Sequence, residues 1–215
     1  MSRVLHNFFR SSASVRVRAA LNLKGLDYEH VSYTLRQGEH RSPAFLSLNP
    51  QGLVPALQLG DGTVLAQSLA IIEYLDEAYP EPALLPATPL DRAWIRSLAQ
   101  AIACDIHPVN NLRVLQYLDE KLGIDEEGVA RWFRHWVAEG FAPLERQLAA
   151  DPRRGRFCHG DAPGLADICL FAQIANNRRF AVDMTPYPTL AAINAHCLES
   201  PAFVEALPEN HPHAS

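Results

Sequence analysis

No stretch of this 215-residue sequence approaches the roughly 18 consecutive apolar residues of a membrane helix, which excludes a helical span. The opening residues, Met1-Ser2-Arg3-Val4-Leu5-His6-Asn7, lead into an apolar stretch too short and too polar for a secretory h-region, so a cytoplasmic location is expected. An excess of positive charge is also missing. The formal net charge is −5, both signs are mixed along the chain, and no basic field exists to attract a phosphate backbone, so nucleic acid is excluded as a partner. Cysteine is sparse: Cys104, Cys158, Cys169 and Cys197 lie far apart, with no CxxC and no histidine at zinc-finger spacing. They read as reduced, mostly buried small apolar residues, and no metal site is expected. Any thiol chemistry must then come from outside the protein. Internal repeats are absent as well.

What is present is a hydrophobic content of 48%, enough to bury a real core, in a chain whose length suits two modest domains. Val4 to Phe9 is a short apolar run. Val17, Ala20, Leu21 and Lys24 then recur at helical spacing, with Gly25 as a C-terminal cap. Alternation resumes from Tyr28 to Leu35, Pro43 to Leu48 reads as a short helix, and Pro55 to Leu59 and Thr63 to Ala66 flank a Gly60-Asp61-Gly62 hairpin turn. Ser68 caps a helix that carries Ile71, Ile72 and Leu75 on one face and ends at Pro80. The order β-α-β-α-β-β-α predicts a mixed sheet covered by helices, compatible with a thioredoxin-like fold.

Prolines crowd the segment from Pro80 to Pro89, a stiff connector. The expected division is a first domain at 1–80, a linker at 81–89 and an all-helical domain at 90–215. In the latter, long helical patterns begin at Trp94, run from Val129 to Leu148, and run from Leu165 to Arg179, with a kink expected where Pro108 interrupts the first. Pro188 and Pro201 open two shorter helices. The tail from Glu209 to Ser215 is expected to fray, leaving His211 and His213 unable to form a site.

Two helix starts can hold an anion. Phe9-Arg10-Ser11-Ser12-Ala13-Ser14 joins the first strand to the first helix, and Gln67-Ser68 opens another; free N–H groups at such ends attract negative charge. Ser11, Ser12 or Ser14 can donate to that anion, or one of them can simply cap the helix. In Asn49-Pro50-Gln51-Gly52-Leu53-Val54-Pro55-Ala56-Leu57 a proline heads a strand. A cis Val54–Pro55 bond would leave the backbone groups of Val54 exposed to a peptide-like ligand, whereas most X–Pro bonds are trans.

Taken in order, Arg10 to Leu21, Asn49 to Pro55 and Gln67 to Leu75 resemble the zeta-class glutathione transferases, the family that includes the maleylacetoacetate and maleylpyruvate isomerases. The likeness continues through Asp105-Ile106-His107-Pro108-Val109-Asn110-Asn111-Leu112-Arg113 and Gly160 to Asp167, and so covers nearly the whole chain. The Asp105–Asn111 stretch and Arg178-Arg179-Phe180 look most like the bacterial maleylpyruvate isomerases. This resemblance implies the glutathione transferase fold and glutathione as cofactor. It implies that Ser11, flanked by Ser12 and Ala13, faces the glutathione sulfur; that the Val54 backbone pairs with the cysteinyl part; that Gln67-Ser68 holds the γ-glutamyl carboxylate; and that His40 reaches the glycyl end. His107 and Asn111 belong to the cofactor-contacting set, His107 as a glutathione contact or cap and not as a metal ligand. Asp105 would approach the γ-glutamyl amine across a homodimer. Two departures stand out: Ala13 where the family commonly has cysteine or threonine, and Gly164 where it usually has serine or threonine before the helix that holds Asp167.

The implied reaction is cis-trans isomerisation of a maleyl diacid, maleylpyruvate or maleylacetoacetate, in aromatic-compound catabolism. A thiolate adds to the conjugated double bond, the new single bond rotates, and elimination returns the trans product. Thiolate, enolate and carboxylates all call for positive donors, and arginine binds carboxylate through a planar fork. Arg10, Arg113 and Arg179 are the candidates. Two other readings remain open, a general glutathione transferase acting on electrophiles and a glutathione-binding protein without turnover.

Overall fold

Alternating side chains in the first 66 residues build a four-stranded sheet in the order β2-β1-β3-β4. The computed structural model describes residues 2–214, and its strands are β1 (Arg3–Asn7), β2 (Glu29–Ser32), β3 (Ala56–Leu59) and β4 (Val64–Ala66). A helix, α1 (Ser12–Leu23), carries the chain from β1 to its parallel neighbour β2, while β3 pairs antiparallel with both β1 and β4. The expected hairpin closes as read: Gly62 adopts φ 88°, which glycine tolerates, and Asp61 accepts from the Thr63 N–H at 2.9 Å. Alternation suggested a β2 running to Leu35, but pairing stops sooner. Tyr33 N–H reaches Asn7 C=O at 3.0 Å, β1 ends there, and the chain turns into two single 3₁₀ turns at Leu35–Gln37 and Glu39–Arg41.

The remaining helices of this unit are α2 (Pro43–Leu48) and α3 (Ser68–Ala78). Helix α3 turns Ile71, Ile72 and Leu75 inward, and α1 packs against it with Val15, Val17, Ala20 and Leu21 buried. Just past α1, Lys24 is buried. Its ammonium donates to Asp76 Oδ1 at 2.7 Å, to Tyr79 C=O at 2.7 Å and to Pro82 C=O at 2.6 Å, and Asp76 also accepts from Leu84 N–H at 2.7 Å. One ammonium thereby fastens α1 to the chain leaving α3, and all three of its protons are used.

A second unit spans Leu85–Glu199, whereas residues from Ser200 onward pack with the unit that ends at Leu84. The division falls inside the proline-rich connector. Within the second unit, α4 (Pro89–Gln100) widens into a π-helical turn at Ala101–Ile106 before a short α5 (His107–Val109). The interruption expected at Pro108 takes the form of this π-helical turn. Pro108 has no N–H to donate one turn back, and its ring crowds the preceding carbonyl. Next come α6 (Leu112–Glu120), α7 (Glu126–Ala150), α8 (Leu165–Asn177) and α9 (Pro188–Leu198).

Helix α8 is apolar nearly all round and buried along almost its whole length, as a central helix must be. Its first turn is held by Asp167, whose carboxylate accepts from Gly164 N–H and Cys158 N–H, both at 2.8 Å. Gly164 has no hydroxyl to reciprocate, so the carboxylate alone ties down this helix start. Cys158, Cys169 and Cys197 are buried thiols and Cys104 is exposed. Burial raises the pKa of Cys158 and Cys197, which keeps both protonated.

The C-terminal segment departs from the expectation of a frayed end. After α10 (Pro201–Val204), Pro208–Asn210 forms a 3₁₀ turn and His211 is only 4% exposed, because Asn7 of β1 and the His30 ring of β2 face it.

Removing one member of a buried ion pair strands the other charge, so Asp76→Ala is expected to lower unfolding stability by about 3–5 kcal/mol in urea titration. The double replacement Lys24→Met with Asp76→Leu should recover part of that loss. A cost below about 1 kcal/mol for Asp76→Ala would mean that the two carbonyls alone satisfy the ammonium.

Candidate active site

Sheet register decides where the candidate residues of the first unit emerge. His6 pairs with Ala56, Ala56 with Ala66, and Asn7 with Ser32. Consequently the connections after β1, after β2, before β3 and after β4 all leave one end of the sheet. These connections carry Arg10 to Ala13, His40, Val54, and Gln67 with Ser68.

At the first of them Ser11 caps α1, its Oγ accepting from Ser14 N–H at 3.3 Å. The hydroxyl keeps its own proton, so capping and donation to a ligand are compatible. The other two serines are set apart by burial. Ser14 is fully buried with its Oγ accepting from Phe8 N–H at 3.4 Å, and Ser12 is buried as well, whereas Ser11 and Ala13 stay half-exposed. Val15 N–H bonds Ser11 C=O, and among the described residues the N–H groups of Ser12 and Ala13 have no hydrogen-bond partner. Two free donors and a hydroxyl at a helix N-terminus suit an anionic sulfur.

Preceding β3, the Val54–Pro55 bond is cis, and among the described residues neither backbone group of Val54 has a partner. Asn49 steadies this loop, donating from Nδ2 to Leu53 C=O at 2.8 Å. At the start of α3, Gln67 sits at φ 69°, ψ 114°, a strained conformation for a residue with a side chain. Its Nε2 donates to Gln51 Oε1 at 2.8 Å, coupling the Asn49–Gly52 turn to the α3 N-terminus. In sequence Gln51 is only a turn residue, and the proximity of the two loops gives it a role. His40, in the Glu39–Arg41 turn, has its pKa lowered by burial and by Arg41, so its imidazole is neutral near pH 7.

In the second unit Asp105 is exposed on the π-helical turn, and His107 follows at the start of α5. Asn111 caps α6 by accepting from Arg113 N–H at 3.3 Å, and its Nδ2 donates to His107 Nε2 at 3.3 Å. That bond leaves the histidine proton on Nδ1. Arg113 stands exposed in the first turn of α6. Arg179 is exposed just past α8, where its Nη1 donates to Asn176 Oδ1 at 3.2 Å. Phe180, stacked on Phe133 at 3.8 Å, fixes the backbone that carries it. Two further contacts brace these segments. Trp132 Nε1–H bonds Val109 C=O at 2.9 Å, and α7 has a glycine, Gly140, where a Cβ would lie 2.3 Å from Cδ1 of Ile106 on the π-helical turn.

A mixed four-stranded sheet with two helix N-termini and the unpaired backbone of Val54 gathered at one end is the arrangement of a thioredoxin-like domain suited to a peptide thiol, compatible with the glutathione transferase class. Residues 10–78 match the glutathione S-transferase N-terminal domain family. A maleylpyruvate isomerase of Ralstonia sp is 50% identical over 208 residues, 97% of this chain and 98% of that protein. The maleylacetoacetate isomerase of Pseudomonas aeruginosa is 48% identical, over 97% of each chain. Among solved structures, the holo form of maleyl pyruvate isomerase, a bacterial glutathione-S-transferase in zeta class, superposes with a TM-score of 0.96 at 48% identity, covering 99% of this chain and 100% of that one. The maleylacetoacetate isomerase of Methylobacterium extorquens, crystallised with bound malonate and GSH, gives a TM-score of 0.95 at 42% identity over 99% of both chains. The chain therefore belongs to the zeta-class glutathione transferase family.

Because Ile106 fills the place of a side chain at position 140 and is itself buried, Gly140→Ala must displace the Ile106 side chain and is expected to shift the π-helical turn with it. The expected loss is about 1–3 kcal/mol of stability, with an altered labelling rate at Cys104, the exposed thiol on that turn. Thiol-reagent kinetics check this, the three buried cysteines staying silent until unfolding. An unchanged rate with unchanged stability would mean that Ile106 simply swings aside.

Proposed function

We propose that the chain is a glutathione-dependent isomerase that converts the cis double bond of a maleyl diacid, maleylpyruvate or maleylacetoacetate, to trans, within the catabolism of aromatic compounds. The observation that carries this reading is the α1 N-terminus, with Ser11 and two free N–H donors, in a chain half identical to a maleylpyruvate isomerase. Relatives crystallised with malonate and GSH, or with dicarboxyethyl glutathione and citrate, lend support, since their bound molecules pair this cofactor with carboxylates.

The residues present fit glutathione. Val54 offers an N–H and a C=O to its peptide backbone, Gln67 and Ser68 offer a helix N-terminus to the γ-glutamyl carboxylate, and His40 is assigned to the glycyl end. When bound, glutathione supplies the sulfur nucleophile that adds to the conjugated double bond and later departs. The chain's own task is electrostatic. A thiol of ordinary pKa near 8.5 is mostly protonated at neutral pH, and the Ser11 hydroxyl with the α1 N-terminus favours its anion. Arg10, next in sequence to Ser11, supplies positive charge where charge develops on the substrate's carbonyl oxygen. Arg113 and Arg179 hold carboxylate of the diacid, for which the guanidinium fork is the matching shape. Asp105, His107 and Asn111 belong to glutathione contacts of a homodimer in which the partner contributes Asp105. A cytoplasmic location is part of the same reading.

Loss of ultraviolet absorbance from maleylpyruvate and from maleylacetoacetate, each with and without glutathione, tests the proposal. Glutathione-dependent loss with either is expected; conjugation of unrelated electrophiles with neither diacid turned over would replace it by a general transferase. Ser11→Ala is expected to lower kcat/KM by about 10²-fold, with much smaller effects for Ser12→Ala and Ser14→Ala. Arg179→Ala should cost about one to two decades in kcat/KM while leaving glutathione affinity intact. Arg179→Lys should retain most of the defect because the fork is lost, and Arg178→Ala serves as control. If Arg178→Ala does the damage instead, the carboxylate is held one residue earlier.

A further inference from the structure

The C-terminal segment, read from sequence as a loose end, is bonded to the loop that carries Arg10 and Ser11. Arg18, on α1 and 1% exposed, spends its guanidinium on both. Nε and Nη2 donate to Ala206 C=O at 3.1 and 2.8 Å, Nη2 also donates to Phe9 C=O at 2.9 Å, and Nη1 donates to Asn7 Oδ1 at 3.0 Å. His211 reaches the same Asn7 oxygen from the tail, with Nε2 at 3.0 Å. His213 N–H donates to His211 Nδ1 at 3.1 Å, so Nδ1 carries no proton and Nε2–H is the donor. Asn7 completes the frame by donating from Nδ2 to Leu5 C=O at 3.0 Å.

The contacts continue toward the chemistry. The Phe9 ring lies 6.4 Å from the His211 ring, and the Arg10 guanidinium sits 4.9 Å over the Phe9 ring. Phe9 and Arg10 lie in a turn outside both β1 and α1, so these bonds, with Ser11 N–H to Phe8 C=O at 3.0 Å, determine how the turn is presented. We propose that Arg18 and His211 are positioning residues for the proposed isomerisation, acting through Asn7 and Phe9 to hold the Arg10-Ser11 turn in its working orientation. The inference rests on the functional reading above, which assigns the chemistry to that turn.

His211 is suited to this task by its surroundings. The charged and titratable groups facing it are Arg18 on α1, His30 on β2 with ring centroids 4.5 Å apart, and His213 in the tail. Burial and those groups push its pKa down to about 3. It therefore stays neutral, and its single proton stays on the donor atom, across the physiological range.

The test uses His211, which lies outside the helices, in the full chain. Glutamine places an N–H near Nε2 and asparagine places its polar group near Nδ1, so His211→Gln preserves donation to Asn7 and His211→Asn removes it. His211→Asn is expected to lower kcat for diacid isomerisation about tenfold and to raise the pKa of bound glutathione thiol, read as thiolate ultraviolet absorbance, with KM for glutathione changed less than about twofold. His211→Gln should restore most of both. If His211→Asn lowers melting temperature but leaves kcat and thiol pKa at wild-type values, the tail is a structural clamp and the proposal is overturned. If wild type depresses the bound thiol pKa yet isomerises neither diacid, the functional reading fails while the thiol shift in His211→Asn still upholds positioning. A wild type that does neither overturns both.

Discussion

Two neighbouring rungs of the sheet, His6 with Ala56 and Ala56 with Ala66, determine what the first unit can do. A strand pairing that slipped by one residue would turn each side chain to the opposite face and carry the connections away from one another. With this register, a helix N-terminus, an unpaired stretch of backbone at Val54 and a second helix N-terminus open at the same end of the sheet. None of the three is a site alone. Together they place hydrogen-bonding groups at one end of the sheet, where a tripeptide with a carboxylate and a thiol could use them.

Buried polar and charged side chains connect separate segments of each unit. Lys24 ties α1 to the chain leaving α3, Arg18 ties α1 to residue 206, and Asp167 ties the start of α8 to Cys158. Each has its donors or acceptors taken up by backbone groups as well as side chains, which is the condition under which a charge can be held away from water. Because an unsatisfied buried charge costs several kcal/mol, these residues specify which segments meet. Apolar packing by itself would tolerate alternatives.

The π-helical turn at Ala101–Ile106 plays the corresponding part in the second unit. Pro108 denies α4 a hydrogen bond, the helix widens, and Gly140 leaves room for Ile106 to sink against α7. A change of helical pitch rotates the residues that follow, so the facing of Asp105 and His107 depends on one proline and one glycine on different helices.

Much of this was legible beforehand, since it rests on local chemistry. Spacing of apolar residues gave the order of strands and helices, Gly60-Asp61-Gly62 marked the hairpin, Pro108 marked the kink, and Ser11 and Gln67-Ser68 marked helix starts. The likeness to zeta-class enzymes rested on contiguous motifs, and contiguity is what one sequence displays. Tertiary structure alone decided the rest. Where β2 ends depends on where β1 ends, not on its own alternation. Gln51 acquired a partner only because two loops converge, and which of three serines keeps its hydroxyl accessible depends on the packing that buries Ser12 and Ser14. The tail carries polar residues that read as solvated, yet His211 is buried, because Asn7, 204 residues away along the chain, holds an acceptor that faces it. Local sequence specifies which groups can bond; bringing together groups hundreds of residues apart is a property of the folded chain alone.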